Sequence, residues 1–475
     1  MVEEGTEIPL LRLTGEPCLI FVAALKFFKR AAYGGFMKGI LRFAAVAALA
    51  VAVWAGALVS VQAKEPPEKV LRNWYRMVLE LVRHTPTFSP PVASRAFAYL
   101  GVTGYEVTAS AEGAPLVTLA GQLNGLTAVP AREPGKIYDE GVALNAAMAV
   151  TAKNFFSHTG PTGQRALAAM TKKMAAEVDK DVPGDVAARS EDYGRKVAEH
   201  ILAWSATDGG AEIENMGFPR EYALIAKPGH WVPTSPIQQQ QMPLLPQWGK
   251  VRTFTMPDGS TCGLPPPPDY SEDKNSEFYK QADEVYQTVA NLNGEQRAIA
   301  RFWSDDPMLS PTPPGHWISI VWQVAAKEKA DAPRTVEALA LLGVTVADAF
   351  IGCWDAKFEF DLIRPISYIQ KQIDPKWQAL LITPPFPEYP SGHSTQSAAA
   401  AEVLTHVFGD NYAFSDATHE ADGLKPRNFK SFRAAAEEAG ISRLYGGIHF
   451  RAAIERGLEQ GRCIGAYAVK LKTRK

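Results

Sequence analysis

Residues 334–363 read RTVEALALLGVTVADAFIGCWDAKFEFDLI and stop at Arg364-Pro365. A run so rich in Ala, Leu, Val and Phe predicts one long helix. Proline lacks the N–H that would continue it and turns the preceding residue away from helical angles. Lys357 and Arg364 stand seven residues apart, close to two helical turns, so the helix would point both cations the same way. Two lysine or arginine charges are ordinarily solvated surface groups. Here Phe350, Trp354, Phe358, Phe360, Leu362 and Ile363 crowd them with large apolar groups. A cation planted among such neighbours needs an anion.

Outward from this stretch the pattern stays helical. Val70, Leu71, Trp74, Met77, Val78, Leu81 and Val82 form one amphipathic stripe, and Pro90-Pro91 opens a second helix. Further helices are expected near 141–156, 163–180 and 185–206, each bounded by Gly or Pro. Alternating β-branched runs are short, and residues 251–254 are the best candidate for a small hairpin. Composition shifts at 227–272, which carries Gln238 to Gln241 and Pro265 to Pro268. It reads as an extended connector pinned by Trp231, Leu244, Leu245 and Trp248. The expected organisation is an all-α chain with at most a small hairpin. A helical half at 64–226 precedes the connector at 227–272 and a catalytic helical half at 273–475.

With 475 residues, 46% hydrophobic and 21% charged, the chain is long enough for two packed cores. A formal net charge of -2 argues against a nucleic-acid partner, so any basic site must be local. Met37 to Arg42 is a short basic region, residues 43–59 are apolar, and Val61-Gln62-Ala63 is a small-residue cleavage signature. Residues 37–63 are therefore expected to be a signal peptide preceded by an over-extended start at 1–36. Export to the periplasm or medium follows, with no stable membrane span after cleavage. The competing reading of 43–59 is an uncleaved anchor helix. Beyond Ala63 stand Cys262, Cys353 and Cys463, an odd number that permits one disulfide at most.

Two further blocks carry chemistry. Pro390-Ser391-Gly392-His393 precedes a helix ending near Gly409. Ser391 can cap it, its first N–H groups then point outward with the positive end of the helix dipole, and Gly392 lets an anion come close. Ser442-Arg443 is followed by Gly446-Gly447 and His449, so a planar guanidinium fork and a histidine can converge at one turn. Each block alone is an ordinary helix start or turn; in fixed order they form a set. His84, His158, His200, His230, His316, His406 and His419 are expected to need no special role.

Lys357 with Arg364-Pro365, the Pro390–His393 block and Ser442-Arg443 with His449 resemble the signature shared by vanadium-dependent haloperoxidases and type-2 phosphatidic acid phosphatases. Phe302 to Asp306, Thr312 to Trp317, Trp354 to Lys357, Pro387-Glu388-Tyr389, Pro90 to Arg95 and Leu245 to Lys250 look like the bacterial haloperoxidase branch. The resemblance spans nearly all of 64–475. It implies two packed helical bundles with vanadate held mainly by the second, and hydrogen peroxide and halide as substrates; an oligomer is left open. Lys357, Arg364 and Arg443 would neutralise the vanadate oxygens, helped by Ser391 and the Gly392 N–H. His449 would bond vanadium, and His393 would hydrogen-bond the apical oxygen and move protons. Lys357, His393 and His449 are thus the catalytic set, and bound vanadate acts as a Lewis acid that polarises peroxide for halide attack, giving hypohalous acid. Asp305 or Asp306 is expected to pair with Arg443. Trp354 and Phe386 would wall the halide pocket, and Phe386 stands where chloride-oxidising members carry Phe. The alternative is a secreted acid phosphatase, in which His449 attacks phosphorus and His393 protonates the leaving alcohol; a non-catalytic anion-binding module is the third reading. The family often carries an aspartate four residues after the last histidine, and here that residue is Ala453. Its absence weakens the phosphatase reading more, because a nucleophilic histidine wants a partner on its other nitrogen.

Overall fold

The computed structural model describes residues 65–214, 222–235 and 242–475. The segments 1–36 and 37–63 and the glutamine run lie outside the described residues.

Helices α1 (Pro67–Arg83), α2 (Pro90–Ala109), α3 (Glu140–Phe156), α4 (Pro161–Val178) and α5 (Gly184–Ser205) follow the sequence pattern to within a few residues. α1 buries Val70, Leu71, Trp74, Val78, Leu81 and Val82, the spacing of a single apolar face. Trp74 anchors that face by donating its indole N–H to Asn145 of α3 at 2.8 Å. α2 is buried on all sides from Pro91 to Val107, as expected of a central helix, and lies along the long helix of residues 332–360 and against α3.

Helices α6 (Glu277–Ala290), α7 (Gly294–Phe302) and α8 (Thr312–Glu328) lead to α9 (Ala332–Phe360). α9 is long and apolar enough to cross a membrane, yet its most apolar stretch is wholly buried within the protein. It ends three residues earlier than the sequence predicts. Asp361 adopts a left-handed conformation, with φ 45°, so Arg364 does not belong to this helix. The chain instead pairs with the connector: the Trp231 N–H donates to the Asp361 carbonyl at 2.7 Å and the Ile363 N–H to that of Gly229 at 2.8 Å. Arg364 is extended, as the residue before a proline should be, and opens the short helix α10 (Pro365–Gln372). Lys357 and Arg364 still converge, through a tight turn rather than two turns of one helix.

The rest comprises α11 (Gly392–Phe408), strands β1 (Phe414–Asp416) and β2 (Arg427–Phe429), α12 (Phe432–Tyr445) and α13 (Arg451–Ala468). β1 and β2 pair antiparallel with Phe414 opposite Phe429, and residues 251–254 form no strand. The Asp348 carboxylate of α9 accepts the N–H groups of Phe254 and Thr255 at 2.6 and 2.8 Å, replacing a strand partner. Of the four connector residues expected to pin it, Trp231, Leu245 and Trp248 are buried and Leu244 is partly buried.

α11 and α13 lie almost backbone to backbone. A Cβ on Gly461 would sit 2.1 Å from the Thr395 carbonyl oxygen, and one on Gly457 would sit 2.8 Å from the Ser394 side chain. Small residues at four-residue spacing on α13 thus let it press against the first turns of α11, where Ser391, Gly392 and His393 stand. A Cys262–Cys463 disulfide ties the connector to α13, and Cys353 is buried and free.

Candidate active site: a buried cationic cradle

His449 is delivered by the turn after α12. Gly447 adopts φ 76°, where any Cβ would lie 2.9 Å from Val289. The Gly447 N–H closes on Leu444 at 3.0 Å and the Ile448 N–H on Arg443 at 3.2 Å. Beyond this turn His449 is buried, its Nδ1 2.8 Å from Glu388 Oε1. The same oxygen accepts the Phe450 N–H at 2.8 Å. On the other side of the ring, Arg364 Nη1 lies 3.2 Å from Nε2. An arginine only donates, so Nε2 carries a lone pair and Nδ1 carries the proton, which goes to Glu388. Burial, reinforced by the charges of Arg364, Lys357, Arg443 and His393, holds the His449 imidazole well below its usual pKa. Arg364 touches the ring directly, and Lys357, Arg443 and His393 add their charge from farther off.

The cations are buried, and among the described residues none is in a direct ion pair with a carboxylate. Arg364 donates Nε to the Phe386 carbonyl at 2.8 Å and Nη1 to that of Ile448 at 2.9 Å, while its buried Nη2 has no partner. Arg443 donates Nε to Ser442 Oγ at 3.0 Å and Nη2 to the Trp303 carbonyl at 2.6 Å. Burial pulls both guanidiniums down to about 10. Lys357 behaves differently: its ammonium donates to the carbonyls of Pro387, Glu388 and Pro390, which uses all three N–H bonds. Burial draws its pKa down to about 7, and three carbonyl acceptors favour the protonated form. Lys357 braces the 387–390 turn and lends charge, rather than free N–H bonds, to the cradle. Glu388 is the one carboxylate in contact with His449; burial raises it to about 7 against the pull of Arg364 and Lys357.

Ser391 caps α11 by accepting the Ser394 N–H, and it is fully buried. A Cβ on Gly392 would meet Phe350, Trp354 and Cys353 at 3.7–3.9 Å, ordinary contact distances. His393 follows; its Nε2 is buried and unpartnered, 4.0 Å from Asp305 Oδ2. Trp354 and Phe386 meet with ring centroids 4.9 Å apart, and Lys357 and Arg364 stand 5.1 and 4.9 Å from the Phe386 centroid. Lys357, Arg364, Ser391, Arg443 and His449 are thus buried, with His393, Gly392 and Phe386 partly exposed.

Residues 337–475 match the family described as the VCPO second helical-bundle domain. The solved structure of the first bacterial vanadium-dependent iodoperoxidase is 39% identical, covers 87% of this chain and 99% of its own, and superposes with a TM-score of 0.79. The chain belongs to the vanadium-dependent haloperoxidase family. A curated relative, vanadium chloroperoxidase of Curvularia inaequalis, is 25% identical over 277 residues, 48% of this chain and 45% of that protein's length. A holo-type bacterial vanadium-dependent chloroperoxidase shares the fold at 16% identity and a TM-score of 0.63, covering 86% of this chain and 97% of its own.

The cradle of this haloperoxidase fits vanadate, the family's cofactor. Among the described residues no carboxylate hydrogen-bonds any of the three buried cations, Arg364 Nη2 and His393 Nε2 are orphaned, and a lone pair waits on His449. A buried surplus of positive charge is stable only against an anion. Two expectations need correction. Neither Asp305 nor Asp306 hydrogen-bonds Arg443 among the described residues; Asp305, at φ 47°, turns to His316 and His419 instead. His316 and His419 are therefore not incidental. Glu388 was missed as the partner of His449, because the sequence pattern looks for it four residues along the chain and it arrives from another loop. The signal was a lone carboxylate between prolines, in Pro387-Glu388-Tyr389-Pro390.

Proposed function

We propose that this protein binds vanadate and oxidises halide with hydrogen peroxide to hypohalous acid. The observation that carries the reading is the His449 tautomer, a lone pair held by Glu388 and aimed into unpaired buried cations. His449 Nε2 would bond the metal, and the N–H groups of Arg364, Arg443 and Gly392 with the Ser391 hydroxyl would hold its oxygens. Bound vanadate supplies a pentavalent Lewis acid that makes peroxide electrophilic toward halide. His393 is placed to take a proton from incoming peroxide at Nε2 and to return it to the departing oxygen. Trp354 and Phe386 exclude water and offer a polarisable wall beside two cations, which suits a halide; Phe386 supports chloride among the substrates. The test is vanadium content by elemental analysis after incubation with orthovanadate, followed by peroxide assays with iodide, bromide and chloride. Stoichiometric vanadium with halide oxidation is expected; protein that retains no vanadium sinks the proposal.

One observation favours a second reading. Glu388 supplies the partner that Ala453 does not, so His449 is equipped as a nucleophile toward a phosphomonoester. Phosphomonoester hydrolysis by vanadate-free protein, absent when vanadate is bound, would establish it. Bound vanadium with neither activity would point to the non-catalytic module. For location we propose export. Residues 64–475 form a compact unit by themselves, and the Cys262–Cys463 disulfide suits an oxidising compartment.

A further inference from the structure

Behind His393 runs a line of alternating carboxylates and imidazoles that none of the site chemistry uses. Asp416 Oδ2 lies 2.8 Å from His316 Nε2, and His316 Nδ1 lies 2.9 and 3.0 Å from the two oxygens of Asp305. Asp305 Oδ1 is 3.0 Å from His419 Nε2, and His419 Nδ1 is 3.2 Å from Asp422. Asp422 pairs with Arg83, and these last two side chains are 24% and 26% exposed while Asp305, His316 and Asp416 are buried. A histidine whose two nitrogens both meet carboxylates donates from both, so His316 and His419 are imidazoliums. Burial pulls each down, but the carboxylates outweigh it: His316 stands at about 10 and His419 above its usual value. Charges then alternate from Asp416 to Arg83 and cancel. Asp305, His316 and His419 could in principle hold a metal ion, but they already satisfy one another by direct hydrogen bonds.

Peroxide, halide and one proton give hypohalous acid and water, so each turnover of the proposed reaction consumes a proton inside a buried site. We propose that Asp422, His419 and Asp305 form the path by which that proton reaches His393 from solvent. The inference rests on the haloperoxidase reading. In the transfer, the Nε2–H bond of His419 breaks and an O–H bond forms on Asp305. That proton sits on Oδ1, so the carboxyl turns to present it to His393; the O–H bond breaks as an N–H bond forms on His393 Nε2, and His419 regains a proton from solvent by way of Asp422. No oxidation accompanies the relay. The 4.0 Å between Asp305 and His393 exceeds a hydrogen bond by about 1 Å, a gap that side-chain movement closes when a catalytic site fills. The groups facing His419 are Asp305, Asp422, the His316 ring at 4.9 Å and the Phe302 ring at 5.4 Å, with Arg83 behind Asp422. His316 and Asp416 sit off the path and hold Asp305 in place.

His419→Gln keeps an amide to hydrogen-bond Asp305 but cannot carry a proton. With peroxide and halide saturating, its kcat should fall about tenfold or more at neutral pH, with bound vanadium unchanged. Imidazole added to the buffer should restore part of the loss. Histidine-labelled nitrogen NMR of vanadate-free protein should show two doubly protonated rings at neutral pH, one of them missing in this variant. Asp422→Asn, at the partly exposed end, tests the path without touching the core and should lower kcat by a smaller factor. Wild-type kcat in both variants overturns the path alone, as does a His419→Gln loss matched by lost vanadium or a single doubly protonated ring in the wild type. A wild type that binds vanadium yet oxidises no halide overturns the functional reading, and the path with it.

Discussion

Arg95 and Arg364 are both buried arginines, one in each helical half, and they are held in opposite ways. Arg95 of α2 forks onto Asp208, with Nε 2.7 Å and Nη2 3.1 Å from its two oxygens, and reaches the Ser205 carbonyl at 2.9 Å. Tyr99 donates to the same carboxylate at 2.7 Å. Burial acts to lower Arg95, yet Asp208 raises it above its ordinary value. Arg364 meets carbonyls and a histidine lone pair, leaves one nitrogen orphaned, and falls to about 10. Where the carboxylate is built in, the arginine is a structural tie. Where it is missing, the protein has left room for an anion that comes from outside.

That contrast predicts opposite consequences for matched truncations. His449→Ala should abolish vanadium retention altogether, measured by elemental analysis, because His449 Nε2 is the lone pair that faces Arg364 and is oriented by Glu388. Arg95→Ala leaves Asp208 as an uncompensated buried charge and should cost about 3–5 kcal/mol of folding stability in denaturant titrations, a typical loss for a broken buried pair. Arg364→Ala removes an unpaired buried charge, so vanadate-free protein should be no less stable, while vanadate affinity falls roughly 100-fold at the level of two lost charge-assisted hydrogen bonds. Equal destabilisation by the two changes would break the comparison. Glu388→Gln sharpens it: the amide can turn its NH2 toward Nδ1 and release the tautomer, lowering vanadate affinity about 10–100-fold, the usual effect of losing a partner behind a metal-binding histidine. Orthovanadate should in turn raise the stability of wild-type protein by about 2.7 kcal/mol at a hundred times its dissociation constant, and leave Arg364→Ala nearly unmoved.

How far the sequence carried the reading follows from what each feature depends on. Helix positions and the cation blocks were legible because both are written in local spacing, apolar residues every three or four positions and short motifs in fixed order. The end of α9 was misplaced since its stop is tertiary: a left-handed Asp361 and two hydrogen bonds to Gly229 and Trp231 more than a hundred residues away. Residues 251–254 looked like a strand for the same reason, their N–H groups being taken by Asp348 from another helix. Glu388 and the line from Asp416 to Arg83 were invisible because all of their decisive contacts except His419–Asp422 join separate segments. Local rules find a motif; they do not say which carboxylate will stand behind it.

The smallest effect separates the two kinds of buried charge by pH. His316 has an ordinary value of 6.5 and stands at about 10 when folded, so between those values the folded chain holds a proton that the unfolded one has lost. Its contribution to stability is complete below 6.5 and disappears as pH rises through about 10. Lys357 works the other way: its folded value near 7 lies below the ordinary 10.5, so the unfolded chain binds the extra proton and stability rises across that window. The Lys357 effect is common to wild type and His316→Gln, so the difference between them isolates His316. The melting-temperature gap between the two proteins should therefore be widest near pH 6 and narrow steadily toward pH 10. A gap that stays constant across this range would mean that His316 is not held as an imidazolium by Asp305 and Asp416. Its ring would then be an ordinary packed histidine, and the alternating line behind the cradle would lose the charge that fixes Asp305.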